Sequence, residues 1–328
     1  MKDRFFLPCE GQWYKANLHA HTTCSDGALS PTEVKQAYRE KGYAIVAFTD
    51  HWHYGYHPRL ADSSFLPIAA FEFDLTQQYV SPYGFASAKT WHLNFYDTRA
   101  ETRKQYTPKR PDFAYGDTAA LNAYIANMNA DGFLACYNHP GWSLQTSEEY
   151  TRLAGLFATE VYNHNCEQER AFGYEAYAYD DMLRSGHRLH CLCTDDNHNG
   201  VALHSEKSDS FGGYSMFKLP ALSYEALFSA MREGAFYASA GPEIEQFYVQ
   251  DDVVHIKTSC VNTICFSTAG RHCAMWKAPH GSQGITEGSY AIREDDGYVR
   301  VTIEDACGKR AFTNAVYVGD HRSSNERK

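Results

Sequence analysis

The chain has 328 residues, 44% hydrophobic and 21% charged, which suits a soluble protein with one large and one smaller unit. Its 30 Lys and Arg against 40 Asp and Glu give a formal charge of −10, arguing against nucleic acid and anionic membranes as partners. Residues 1–8 lack the sustained apolar stretch of a signal peptide, and no run approaches a membrane span. Ten cysteines without a regular framework fit a reduced, cytoplasmic protein, and 16 histidines stand out as unusual.

Taken in order, residues 15–20 read as a strand. Ser30-Pro31-Thr32-Glu33 then combines an N-cap serine, a proline in the first turn and a capping-box glutamate. Val34, Ala37 and Tyr38 form the apolar stripe of that helix, and Gly42 stops it. Residues 43–48 are a near-continuous apolar run, the pattern of a parallel strand covered on both faces, and end in Thr49-Asp50-His51. Strand-like runs recur at 67–73, 91–96, 133–137, 159–162 and 189–193, with helices expected over 118–130 and 168–184. Seven strands, several followed by helices, predict an α/β fold: a parallel (βα)7 barrel or a close relative.

Past a last helix at 222–232 the character changes. Short β-branched runs at 247–249, 253–257, 264–267, 298–303 and 315–318 predict a small, sandwich-like all-β domain. The expected division is 1–240 and 241–328, and residues 323–328 read as a frayed tail.

His19 and His21, one residue apart on a strand, project from the same face, and Asp26 follows after a short polar turn. In a parallel barrel the carboxyl ends of the strands converge on one mouth. The ionisable clusters fall at those ends: His19/His21/Asp26, Asp50/His51, Glu72, His92, His139, Glu160 and Asp196/His198. Histidines and carboxylates without cysteine suit Zn²⁺, Mn²⁺ or Fe²⁺, and they exceed what one ion needs. A multinuclear centre with a bridging carboxylate follows. Asp195 points to the face opposite Asp196.

The motifs His19-x-His21, Thr49-Asp50-His51, Asn138-His139-Pro140 and Asp196-x-His198 resemble, in order, those of the polymerase-and-histidinol-phosphatase (PHP) superfamily of metal-dependent hydrolases. The resemblance covers roughly the first two-thirds of the chain and implies a distorted seven-stranded barrel. The C-terminal third, at 234–242 and 308–314, resembles the β-module of a carbaryl-hydrolase-like branch. The resemblance further implies a site for two to three divalent ions (Zn, Mn or Fe). His19, His21, Glu72 and Asp196 would hold the first; Glu72 would bridge to a second, completed by His92 and His139. Asp26, His51 and His198 would hold a third.

Around these, Glu160 reads as a partner behind a ligand histidine, and Asp50 as an orienting carboxylate. His53 could protonate a leaving group, with an exposed loop histidine as the alternative. The cations Arg99, Arg103, Lys104, Lys109 and Arg110 could fold over the mouth or form a solvated loop. Trp52, Tyr54, Tyr83 and Trp142 flank ligand motifs and could line the pocket. The expected activity is hydrolysis of a small anionic phosphate ester by metal-activated hydroxide. The alternatives are an ester, carbamate or amide hydrolase with the same centre, or a non-enzymatic metal-stabilised binding protein. Oligomeric state is not legible in the sequence.

Overall fold

The computed structural model describes residues 4–320, so the tail expected at 323–328 lies outside the described residues. A short β1 (Arg4–Phe5) precedes β2 (Gln12–Asn17) and α1 (Pro31–Glu40). The α1 capping box forms as its sequence predicts, with Glu33 N donating to Ser30 Oγ at 3.3 Å and Ser30 N to Glu33 Oε2 at 2.8 Å. Then come β3 (Tyr43–Phe48), β4 (Leu66–Val80), β5 (Ala86–Asp97), a one-turn α2 (Ala100–Arg103) and α3 (Thr118–Ala130). The next elements are β6 (Phe133–Tyr137), α4 (Ser147–Tyr150), β7 (Ala158–Asn163), α5 (His164–Arg170), α6 (Ala176–Arg184) and β8 (His190–Thr194).

These elements make a mixed α/β fold around one large sheet, in which β2 to β8 are neighbours in chain order. Two expectations are corrected. The strands are not all parallel: β5 runs antiparallel to both β4 and β6, because β4 and β5 are joined by a tight turn with no helix between them. Nor does the ladder close into a (βα)7 barrel, since the other flank of β2 is taken, antiparallel, by β9 (Tyr214–Leu219). β8 is not paired with β9, although Ser215 Oγ on β9 donates to Cys193 O on β8 at 3.4 Å, and past the strand ends the two sides join through a parallel bridge between Ala20 and Asn197. The helix expected over 168–184 is broken into α5 and α6, with Ala171 in the left-handed region at φ 56°. Phe71, Phe73, Trp91, Leu93 and Phe95 fill the core beneath the strand ends.

After α7 (Tyr224–Glu233) and β10 (Phe236–Ser239) the chain is all β. It forms β11 (Ile244–Gln250), β12 (Val253–Val261), β13 (Thr263–Thr268), β14 (Cys273–Lys277), β15 (Ile285–Ala291), β16 (Tyr298–Glu304), β17 (Arg310–Thr313) and β18 (Val316–Tyr317). One sheet orders β1, β11, β12 and β15; the other strands extend the large sheet through the β17–β10 pair. A second core of Phe247, Val254, Ile256, Ile264, Phe266 and Val301 lies here. No helix among the described residues is long and apolar enough to cross a membrane.

One buried ion pair ties the C-terminal strands to α6. Arg300, on β16, grips Asp180 through Nε to Oδ1 at 2.7 Å and Nη2 to Oδ2 at 2.5 Å, and Tyr298 donates to the same carboxylate. Removing one partner strands a buried charge. Asp180→Ala should therefore lower unfolding free energy in denaturant titration by about 3 kcal/mol, and Asp180→Leu combined with Arg300→Met by less. Equal losses in the two variants would show that the pairing does not matter.

Candidate metal centre

Backbone hydrogen bonds continue past the strand ends and lace the ligand-bearing segments together. Asp196 N donates to His19 O at 2.9 Å and His21 N to Asn197 O at 3.0 Å, joining the segments after β2 and β8. Trp52 N donates to Glu72 O at 3.0 Å, joining the segment after β3 to β4. Asn138 N donates to His92 O at 3.1 Å, joining the segment after β6 to β5. His92 lies at the middle of β5, just before the stretch Leu93–Asp97 that pairs antiparallel with β6. Gly27 closes the His21–Asp26 turn where a Cβ would meet the His21 backbone at 2.6 Å.

The result is a tight knot of donor atoms. His19 Nε2 lies 3.2 Å from His21 Nε2, 3.4 Å from Glu72 Oε2 and 3.1 Å from Asp196 Oδ1. His21 Nε2 lies 3.2 Å from Glu72 Oε2 and 3.1 Å from Asp196 Oδ1. Ligands held about 2.0–2.2 Å from one tetrahedral ion are about 3.3–3.6 Å apart, so these separations of 3.1–3.4 Å come close to those of a filled coordination shell. Glu72 turns its other oxygen toward His92 Nδ1, at 3.0 Å, and His139 Nε2, at 3.8 Å. Its Oε2 also lies 3.4 Å from His51 Nε2, and Asp26 Oδ2 lies 3.8 Å from His51 Nε2 and 3.6 Å from His198 Nε2. The nine residues carried by the resemblance come together in overlapping donor groups, among them His19/His21/Glu72/Asp196, His21/Asp26/His51/His198 and His51/Glu72/His92, with His139 grouped instead with His19 and Glu160.

Glu160 faces the outer nitrogen of His19, with Oε1 2.7 Å from Nδ1, and also accepts from His139 N, Asn163 Nδ2 and Thr194 Oγ1. This leaves His19 Nε2 free to ligate, the usual arrangement behind a metal-binding histidine. Asp195 turns away to Tyr38 Oη and the amides of Phe211, Gly212 and Gly213. His139 and Asp196 are non-glycine residues held at φ 24° and 56°, strain of the kind that collects at functional sites.

The electrostatics fit cations. Burial alone would suppress protonation of His19, but Asp196, Glu72 and Glu160 outweigh it and raise the imidazole pKa to about 10. His21 is likewise raised well above its ordinary value despite burial, by Asp196, Asp26 and Glu72. Burial opposes ionisation of Glu72, yet His92, His19 and His51 hold it well below the usual carboxylate range. The buried Asn138 Oδ1 has no hydrogen-bond partner, and His51 Nδ1 faces Asp74 Oδ1 at 3.4 Å. The donor set, its spacing and its demand for positive charge all suit divalent metal.

A cleft of about 510 Å³ opens over these groups, lined on its outer side by Trp142, Asn165, Gln168, Val201 and Lys207. Asp50 and His53 are not among its lining residues. Asp50 is buried and accepts from Thr22 N and Oγ1 and Ser25 Oγ, bracing the His21 turn, while His53 is exposed. None of the five cations of the basic segment is among the residues lining the cleft. Arg103 pairs with Asp97 and Asp131, and Arg110 stacks on Trp52 with Asp74 4.0 Å away. Among the described residues Lys207 is the one Lys or Arg that lines the cleft, and nothing in its sequence neighbourhood marks it. Asp74, 3.4 Å from His51 Nδ1, also escaped the sequence reading, and Asn138, named there only within the His139 motif, donates through Nδ2 to Glu72 Oε1 at 2.8 Å. Asp74 sits two residues from Glu72 on one strand face, which is a legible signal. Of the flanking aromatics only Trp142 lines the cleft; Tyr54 is buried and Tyr83 is 84% exposed.

No protein-family model matches the chain, and no curated protein matches it. Solved structures similar to it include a two-domain protein containing a predicted PHP-like metal-dependent phosphoesterase from Bacteroides vulgatus. That likeness has a TM-score of 0.48 and 15% identity, and covers 95% of this chain and 98% of that chain. A protein from Bifidobacterium adolescentis, assigned as a metal-dependent phosphoesterase, has a TM-score of 0.36 and 16% identity over 58% of this chain and 89% of its own. An amidohydrolase from Chromobacterium violaceum with bound sulfate has a TM-score of 0.37 and 17% identity over 56% of this chain and 87% of its own.

Two expectations follow from the geometry. His21→Ala should remove at least one ion per chain in elemental analysis, and Glu160→Gln should weaken metal affinity about 10–100-fold; wild-type metal content and affinity in both would contradict the cradle. Because carboxylates hold His19 protonated up to about pH 10 in the metal-free site, an incoming ion must displace that proton. Affinity should therefore rise with pH across the range 6–9, and calorimetry in buffers of differing ionisation enthalpy should register proton release at pH 7. Uptake without proton release would count against it.

Proposed function

We propose that the chain is a PHP-superfamily hydrolase that cleaves small phosphate esters at a centre of two to three divalent ions. The observation that carries this is the cradle of His19, His21, Glu72 and Asp196, with donor atoms 3.1–3.4 Å apart and two further donor groups sharing its carboxylate or imidazole. Zinc, manganese or iron bound there would supply Lewis acidity and a water acidified to neutral pH.

The protein's own part is positional. Glu160 fixes His19, Asn138 and the neighbouring imidazoles fix Glu72, and Asp50 braces the turn that carries His21 and Asp26. Lys207 gives the acidic cleft a cation on its outer side, where it can meet an arriving anion. Two of the described histidines after residue 240 support assigning the site to residues 1–240: His255 stacks on Tyr248, and His272 lies beside Asp295 and Asp296.

Phosphate dianion gains more from this field than a neutral ester does. The metal-loaded protein should therefore hydrolyse 4-nitrophenyl phosphate with a kcat/KM at least about tenfold above that for 4-nitrophenyl acetate, and inorganic phosphate should compete. Preference for the acetate, without phosphate inhibition, would instead make this an ester or carbamate hydrolase.

A further inference from the structure

The outer cleft contains a fixed aromatic wall that the metal cradle does not use. Trp142 belongs to the same turn as His139: Ser143 N donates to His139 O at 3.1 Å, and Ser143 Oγ lies 3.2 Å from His139 Nδ1. Gly141 N donates to Glu175 Oε1 at 2.6 Å, and a Cβ at Gly141 would come within 2.3 Å of that oxygen, so the turn is pinned. The indole ring stands edge-on to His139, with centroids 5.2 Å apart and planes at 80°, and lies 5.8 Å from His92. Its Nε1 donates to Glu169 Oε2 at 2.7 Å. With that single polar atom engaged, what the ring offers the cleft is apolar surface. Val201 is the other apolar side chain lining the cleft. At about 510 Å³ the space is within the range of small-molecule sites and exceeds the needs of a phosphate group alone.

We infer that Trp142 is a specificity-determining residue, and that the substrates are phosphomonoesters with a planar, apolar leaving group of aryl or heteroaryl type. The inference rests on the phosphoesterase reading above. A phosphoryl group beside His92 and His139 has its ester oxygen directed along the cleft, and a flat ring on that oxygen can lie against Trp142. In the reaction a water oxygen forms the new bond to phosphorus and the phosphorus–aryl oxygen bond breaks. Its electron pair leaves on the aryl oxygen, and the proton lost by water passes to solvent or to the products. A flat ring delocalises the departing charge and stacks at the same time.

The test compares kcat/KM for phenyl phosphate and ethyl phosphate in metal-loaded wild type, Trp142→Leu and Trp142→Phe, with metal content measured in each. The phenyl-to-ethyl ratio should fall about tenfold in Trp142→Leu and stay within about threefold of wild type in Trp142→Phe. An unchanged ratio in Trp142→Leu, or loss of metal that lowers both substrates together, would overturn the inference and leave the ring a packing residue. A second readout separates this from failure of the phosphoesterase reading. Phenol titrated into the metal-loaded wild type should quench tryptophan emission saturably, and Trp142→Phe should abolish that quench. If no phosphate ester is turned over, the phosphoesterase reading fails while this titration still decides the platform: a quench unaltered in Trp142→Phe, or no quench, rejects it.

Discussion

Two carboxylates, Glu72 and Asp196, are sunk among imidazole nitrogens, with Glu72 1% and Asp196 4% exposed. Buried carboxylates are costly unless countercharge is built around them. Here His19, His21, His51, His92 and His139 surround them with titratable nitrogens, and the carboxylates in turn raise the proton affinity of His19 and His21. A single proton can bridge His19 Nε2 and His21 Nε2, 3.2 Å apart, but Glu72 Oε2 and Asp196 Oδ1 converge on the same two nitrogens at 3.1–3.4 Å. A shared divalent ion would answer all four donor atoms at once.

The rest of the architecture serves that knot. The sheet curls until the segments after β2 and β8 meet, and the meeting point is the pair of hydrogen bonds that sets His19 and His21 against Asp196. The reversal at β5 brings His92 in from the opposite chain direction, across from Asp74 on β4. The positive φ at His139 and Asp196 is held in place by this lacing. Glu160, buried in the middle of β7, touches His19 and the His139 backbone at once.

Local pattern made much of this legible. The alternation of His19 and His21, the capping box of α1 and the apolar run of β3 each encode their own geometry within a few residues. The β5 reversal was not legible, because a strand's direction is set by its connection and not by its periodicity. The open ladder escaped for a related reason: Tyr214–Leu219, with one lysine and one serine among apolar residues, gave no clear strand signal, yet it pairs with β2. Charge was the least reliable guide to the cleft. Five cations between 99 and 110 suggested an anion funnel, but Arg103 is consumed by Asp97 and Asp131, while Lys207 reaches the cleft from a loop without any motif. Which charge faces a mouth is decided by tertiary pairing, which a linear sequence does not display.

The central claim is that the four-atom cradle is a coordination shell. Anomalous X-ray diffraction from crystals of the protein grown with zinc or manganese tests it most directly. The account predicts an anomalous peak about 2.0–2.2 Å from His19 Nε2, His21 Nε2, Glu72 Oε2 and Asp196 Oδ1, with little movement of those side chains. A cradle without a peak in crystals that carry the metal elsewhere, or one whose histidines have swung apart, would contradict it.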